Sequence, residues 1–323
     1  MKFKDLKKSV TNGNMPIYLI EGEDAYLRTS AINILKDAFI TFTEFNFDVF
    51  EGEQIKLEPD AFFATVSTYP FMAKNRMVVV NEFYPTATEL KGKMLKRIFS
   101  EDFEPTILVI ANVKKHANLE KLERVTTVDC SKLEPAIIVK WIRTEASKEN
   151  IVVSTETAEK LIDFCRADMT KISAEVAKLI AYVGKNGEIT SEAVETLTTK
   201  DAEYQVYELA ENIAKGKNDK ALYLLKDMLS KFTDKQRLFT TVYYHFRKLF
   251  YCAISACDNH ELAVSLGTEE WSIRKSREQA KNFTPKRLKF INDKLGYLDG
   301  AFKSGEVTLD DAIWNSVLNI LIS

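Results

Sequence analysis

Five short apolar runs rich in β-branched residues, at 17–20, 47–50, 77–80, 106–110 and 125–128, constrain this chain more than any other feature. Each is too short for a helix and has the length and composition of a strand. Amphipathic stretches lie between them. Residues 24–39 place Leu27, Ala31, Ile34, Leu35 and Ala38 on one helical face. Pro59 stands where a first helical residue would, ahead of Phe62, Phe63 and Val66 at helical spacing. Strands that alternate with helices build a mostly parallel sheet with helices on both faces.

After Cys130 no further strand is expected. A helix over 135–148 carries Trp141, and another sets Ala158, Leu161, Ile162 and Cys165 on one face. A third covers Ile172, Val176, Leu179 and Ile180 and stops near Gly184. From 203 onward the chain reads as helical throughout. Gly216 ends a helix holding Val206, Ala210 and Ile213. Thr233 with Gln236 has capping-box spacing before a long helix through Leu238, Val242, Leu249 and Ala253. Thr308 with Asp311 repeats the signal before Leu309, Ala312, Ile313, Val317 and Ile320. The expected division is an α/β domain over 1–132, a small helical domain over 133–202 and a helical domain over 203–323, in keeping with a length of 323 residues. With only 11 glycines and 7 prolines, the chain is too poor in turn formers for an all-β fold.

The charge is nearly balanced, 45 basic against 47 acidic residues, whereas a protein that binds DNA by itself usually carries a basic excess. Contact with nucleic acid is therefore expected to be local or shared with partners. Cys130, Cys165, Cys252 and Cys257 are scattered, as are His116, His245 and His260, so no metal site is expected and the thiols read as free in a reducing cytosol. No apolar run reaches the length of a signal peptide core or a membrane span, and a cytoplasmic location follows as the expectation.

An α/β domain followed by a small helical domain is how many nucleotide-switch ATPases are built. Their phosphate loop follows the first strand and needs glycines, a lysine and a hydroxyl. Here that strand is followed by Glu21, Gly22, Glu23, Asp24, Ala25 and Tyr26: one glycine, no Gly-Lys-Ser/Thr, and three carboxylates that would repel a triphosphate. Asn81 stands where a magnesium-organising aspartate is wanted. The chain is expected neither to hydrolyse ATP nor to hold a cofactor. No hydrolase elbow, zinc-protease or dinucleotide motif occurs.

Two features stand apart. The loop Tyr69, Pro70, Phe71, Met72, ahead of Arg76 and the third strand, clusters large apolar side chains around a proline, either as a helix end folded on its own core or as a binding tip. Residues 271–294 hold Arg274, Lys275, Arg277, Lys281, Lys286, Arg287, Lys289 and Lys294 against only Glu278 and Asp293, either as a solvated helix surface or as a DNA contact.

The order of these features resembles the delta subunit family of the bacterial DNA polymerase III clamp loader, an AAA+ family, in its Gram-positive form. The resemblance spans nearly the whole chain. It rests on Ile17-Tyr18-Leu19-Ile20-Glu21-Gly22-Glu23-Asp24-Ala25-Tyr26-Leu27, on Pro70-Phe71 before Arg76, and on Asp168-Met169 with Glu175, Leu179 and Tyr182. Gln205-Val206-Tyr207-Glu208-Leu209 and Lys303-Ser304-Gly305 complete it. Relatives often carry a leucine or second phenylalanine in the tip, and Gly-Asn-Asp where this chain has Arg166-Ala167-Asp168.

The resemblance implies an AAA+-like parallel-sheet domain with a degenerate nucleotide site, a helical lid and a helical collar. It implies a clamp-loader subunit that binds and opens the sliding clamp (the beta subunit) without hydrolysing ATP itself. Tyr69, Pro70, Phe71 and Met72 would be the clamp-binding residues, and Arg274, Lys275 and Arg277 would touch primer–template DNA inside the loader. The collar would meet the ATP-binding and delta-prime subunits. Two readings compete: an AAA+-like ATPase with an atypical phosphate loop, and a stand-alone DNA-binding protein using 271–294. Nucleotide titration and salt-dependent DNA binding separate them.

Overall fold

In a computed structural model, which describes residues 1–11, 17–100, 106–231 and 234–322, all five apolar runs are strands. They are β1 (Ile17–Glu21), β2 (Phe47–Glu51), β3 (Arg76–Asn81), β4 (Thr106–Asn112) and β5 (Val125–Asp129). The sheet is parallel throughout, in the order β2-β3-β4-β1-β5, with Tyr18 opposite Val109 and Thr126, and Val78 opposite Asp48 and Leu108. The burial of each strand follows its place: β1 and β4 are buried along their length, while the edge strands β2 and β5 are only partly covered.

The two-residue period of a strand divides the core by face. Tyr18, Ile20, Met77, Val79, Ile107 and Val109 point to one side, where they meet Leu27, Ala31 and Leu35 of the helix Ala25–Phe39. Ile17, Leu19, Val78, Val80, Leu108 and Ile110 point to the other, against Phe62 and Val66 of the helix Pro59–Ser67 and Leu95 and Ile98 of Lys93–Ser100. Each fully buried aliphatic or aromatic side chain stabilises the fold by roughly 1.5–3 kcal/mol relative to exposure. The expected face of Ala25–Phe39 needs one correction: Ala38 is exposed and Ile34 only half-buried, so the fully buried stripe is Leu27, Ala31 and Leu35, one residue per turn.

The chain divides into two compact units, Met1–Lys148 with Asp168–Lys178, and Glu149–Ala167 with Leu179–Ser323. In the second unit the expectation of no strands after Cys130 fails. Val152–Val153 (β6) pairs in parallel with Glu188–Ile189 (β7). Two residues per strand are too few to leave a periodic signal, and only Val153 and Ile189 are buried.

The rest of the second unit is helical. Ala202–Ala214, Asn218–Lys231, Lys235–Ile254, Pro285–Lys303 and Leu309–Ile322 share one core through Val206, Leu225, Val242, Phe246, Leu288, Ile313 and Val317. Thr308 caps the last of these as expected, accepting from the Asp311 N–H at 3.2 Å and donating its hydroxyl to the Asp311 carboxylate at 2.6 Å. The other expected capping residue, Thr233, lies outside the described residues. Asp234 caps the long helix instead, accepting from the Arg237 N–H at 2.9 Å.

Candidate functional site

The turn after β1 is built for packing. Gly22 has φ +145°, and a Cβ there would lie 2.1 Å from the Cys130 carbonyl carbon. The Gly22 and Asp24 N–H groups, which a phosphate cradle would turn outward, donate instead to the carbonyls of Asn112 and Cys130 at 3.1 and 3.2 Å. Arg28 donates to the Gly22 carbonyl, and Asp24 caps the following helix, accepting from the Leu27 N–H at 3.0 Å. Asn81 is bound to Glu51, its amide donating to the carboxylate at 2.9 Å.

Glu21 itself is 1% exposed. One oxygen accepts from the His116 N–H at 2.7 Å, and the other has no donor among the described residues. The Glu120 carboxyl lies within hydrogen-bonding reach, so the two acids can be joined by a proton. Burial above all, then that neighbour, raises the Glu21 pKa to about 7.

The apolar loop after the helix Pro59–Ser67 is exposed, not folded on the core: Tyr69 is 79%, Phe71 53% and Met72 77% accessible, while Pro70 is half-buried. The short helix Thr43–Asn46, with Phe42 ahead of it, stands beside it and is not among the elements expected from the sequence. Phe42 and Phe45 are each more than half exposed, and the Phe45 ring lies 5.0 Å from that of Phe71. Between them Asn46 is fully buried. Its amide donates to the carbonyls of Thr41 (2.8 Å) and Phe71 (3.0 Å), and its oxygen accepts from the Phe71 N–H (2.6 Å). Arg76 adds an ion pair to Asp48 and a bond to the Phe45 carbonyl. Nothing in the pattern of residues 42–46 marks them, because their tie to Phe71 crosses 25 positions.

The sequence model described as "DNA polymerase III, delta subunit" matches residues 18–131, and that described as "DNA polymerase III delta subunit, C-terminal domain" matches 203–315. The chain belongs to the DNA polymerase III delta subunit family. It is 24% identical over 321 residues to the DNA polymerase III subunit delta of Bacillus subtilis, covering 94% of this chain and 92% of that protein. It also shares the fold of a solved Bacillus subtilis DNA clamp loader delta protein, with a TM-score of 0.74 at 22% identity over 99% of this chain and 100% of the other.

The turn at Arg166 and Ala167 carries backbone strain. Arg166 and Ala167 both take left-handed backbone, φ 57° and 56°, which glycine and asparagine tolerate best. Arg166 is held by its side chain: it lies 4.8 Å from the Trp271 ring, bonds the Glu203 carboxylate at 3.2 Å and donates to the Ser272 hydroxyl at 3.2 Å. Lys248, whose pKa burial lowers, donates to the same hydroxyl at 3.1 Å.

The three basic residues singled out in the sequence lie on the helix Glu270–Ala280 and differ in disposition. Arg274 is exposed and within 4.0 Å of Glu270. Lys275 is paired with Asp163, and Arg277 donates to the Cys257 carbonyl. All three line a cavity of about 660 Å³ with Arg166 and Lys281, opposed by Asp163 and Glu278. Farther along, Lys289 pairs with Asp293 and Arg287 lies over Phe283, so much of the basic run is neutralised or packed locally. Among the described residues no helix is long and apolar enough to cross a membrane, and no group of three or more acidic, His or Cys side chains is placed to hold a metal ion.

Proposed function

We propose that this chain is the clamp-loader subunit that binds the sliding clamp and opens it for loading onto primed DNA, without hydrolysing ATP itself. The observation that carries the reading is the exposed tip of Tyr69, Phe71 and Met72 beside Pro70, in a family of replication proteins. Three large apolar side chains held in water gain by burial in a pocket, and a loop whose backbone is already hydrogen-bonded leaves mainly their rotamers to be ordered on binding. A clamp ring is opened only by a ligand that binds the open shape better than the closed one. The wedge therefore has to fill a surface pocket and strain one clamp interface. The turn after β1, with its carboxylates and committed N–H groups, supports the absence of ATP use.

The three-part division at 132 and 202 belongs to the same proposal, with 203–323 as the collar that meets the ATP-binding and delta-prime subunits in the cytoplasm. The single core shared by its helices supports that role. Arg274, Lys275 and Arg277 would touch primer–template DNA only inside the assembled loader. The test is Phe71→Ala, titrated against purified sliding clamp. Losing a buried aromatic anchor costs about 2 kcal/mol or more, on the order of thirtyfold in affinity. Unchanged affinity from a folded variant would overturn the reading.

A further inference from the structure

We infer that the tip is a two-part device in which Asn46, at the end of the short helix Thr43–Asn46, is a positioning residue: it holds the backbone of Phe71 in the binding conformation and seats Phe45 beside it as a second apolar contact. The inference rests on the clamp-binding reading of Phe71 and adds to it Phe42 and the short helix Thr43–Asn46.

Three observations converge on Asn46. It is fully buried, although asparagine is mostly found at surfaces and turns. Its side-chain amide binds both backbone groups of Phe71, the oxygen accepting from the N–H at 2.6 Å and the nitrogen donating to the carbonyl at 3.0 Å, as a neighbouring strand would. Its remaining donor bonds the Thr41 carbonyl. A loop that presents an aromatic ring to a partner gains affinity when its backbone is ordered beforehand, since the ordering entropy is not lost on binding. Here the neighbouring residue Met72 sits at φ 48° and Phe42 at φ 53°, left-handed positions that a chain without glycine holds only when surrounding bonds over-determine them. The Phe45 ring, 5.0 Å from Phe71 and more than half exposed, widens the same apolar tip. A core role alone would explain a buried Asn46, but not the two exposed phenylalanines that its bonds bring together.

The experiment is a double-mutant cycle on the full chain, read as clamp affinity: Asn46→Ala, Phe71→Ala and both together. Phe71→Ala should weaken binding about thirtyfold, Asn46→Ala about tenfold, and the double variant clearly less than the product of the two, because Asn46 acts largely through Phe71 and only the share carried by Phe45 is independent of it. Hydrogen exchange at the Phe71 amide gives a second readout independent of the clamp: protected in the parent chain, it should exchange freely in Asn46→Ala while amides of β3 stay protected. If Asn46→Ala does not fold, Asn46→Asp keeps the acceptor and the size, loses both donations, and enters the same cycle. Additive losses, or full affinity in a folded Asn46 variant when Phe71→Ala is weakened, overturn the inference. Full affinity in Phe71→Ala overturns the clamp-binding reading instead.

Discussion

Glu21→Gln should stabilise the first unit at alkaline pH and leave it nearly unchanged in acid. In the folded chain burial holds the Glu21 carboxyl at about 7, against an ordinary 4.5, so between these values the folded state binds more protons than the unfolded state. Stability from this group is then fully present below about 4.5, falls as the pH rises, and is lost above about 7. At about 1.4 kcal/mol per pH unit the displacement sets a ceiling of roughly 3 kcal/mol. Solvent screening at a turn flanked by the exposed Glu23 reduces this to about 2 kcal/mol.

Glutamine keeps the oxygen that accepts from the His116 N–H and offers Glu120 an amide hydrogen in place of the shared proton. Urea unfolding at pH 5 and pH 8 measures the difference, in a background where Trp271 and Trp314 are phenylalanine. Trp141, packed edge-on at 5.7 Å from Tyr26, then reports the first unit alone. The buried His245 in the second unit, its pKa pushed down to about 3 by burial, gives a pH dependence of opposite sign, common to parent and variant. An equal gain at both pH values, or a loss at pH 8, would refute the reasoning.

Ala167→Gly should stabilise the second unit by about 0.5–1 kcal/mol, because a left-handed alanine costs roughly 1–2 kcal/mol and glycine gives back part of that as unfolded-chain entropy. Arg166→Gly relieves the same strain but removes the contacts to Glu203, Ser272 and Trp271, and should be net destabilising; chemical denaturation of both variants checks the pair. Within the assembled loader, reversing Arg274, Lys275 and Arg277 to glutamate should flatten the salt dependence of DNA binding by about 0.9 in log–log slope for each phosphate no longer neutralised. An unchanged slope would return the segment to an ordinary solvated surface.

Local pattern carried most of the architecture. Short apolar runs rich in β-branched residues, too brief for a helix, are legible one strand at a time, and all five strands lie at the expected positions. The helices of 203–323 were likewise readable from apolar spacing, with Thr308 and Gly216 marking ends. Family membership followed from the order of such local signals along the chain. The lone glycine and the carboxylates after β1 already argued against a phosphate loop, since charge and φ requirements are properties of a few adjacent residues.

Tertiary structure decided what depends on residues distant in sequence. The apolar loop at 69–72 could have been core or surface by composition; only packing left Tyr69, Phe71 and Met72 in water. Glu21 owes its raised pKa to burial that no spacing rule encodes, and then to Glu120, nearly a hundred residues away. Lys275 looked free for DNA until the fold placed Asp163 beside it, 112 positions earlier. Asn46 is one more polar residue ahead of a strand until it meets the Phe71 backbone. Periodicity reports which face of an element is buried, because that depends on neighbours three or four positions away. Hydrogen bonds and pKa shifts depend on which faces meet, and that is settled only when the chain closes on itself.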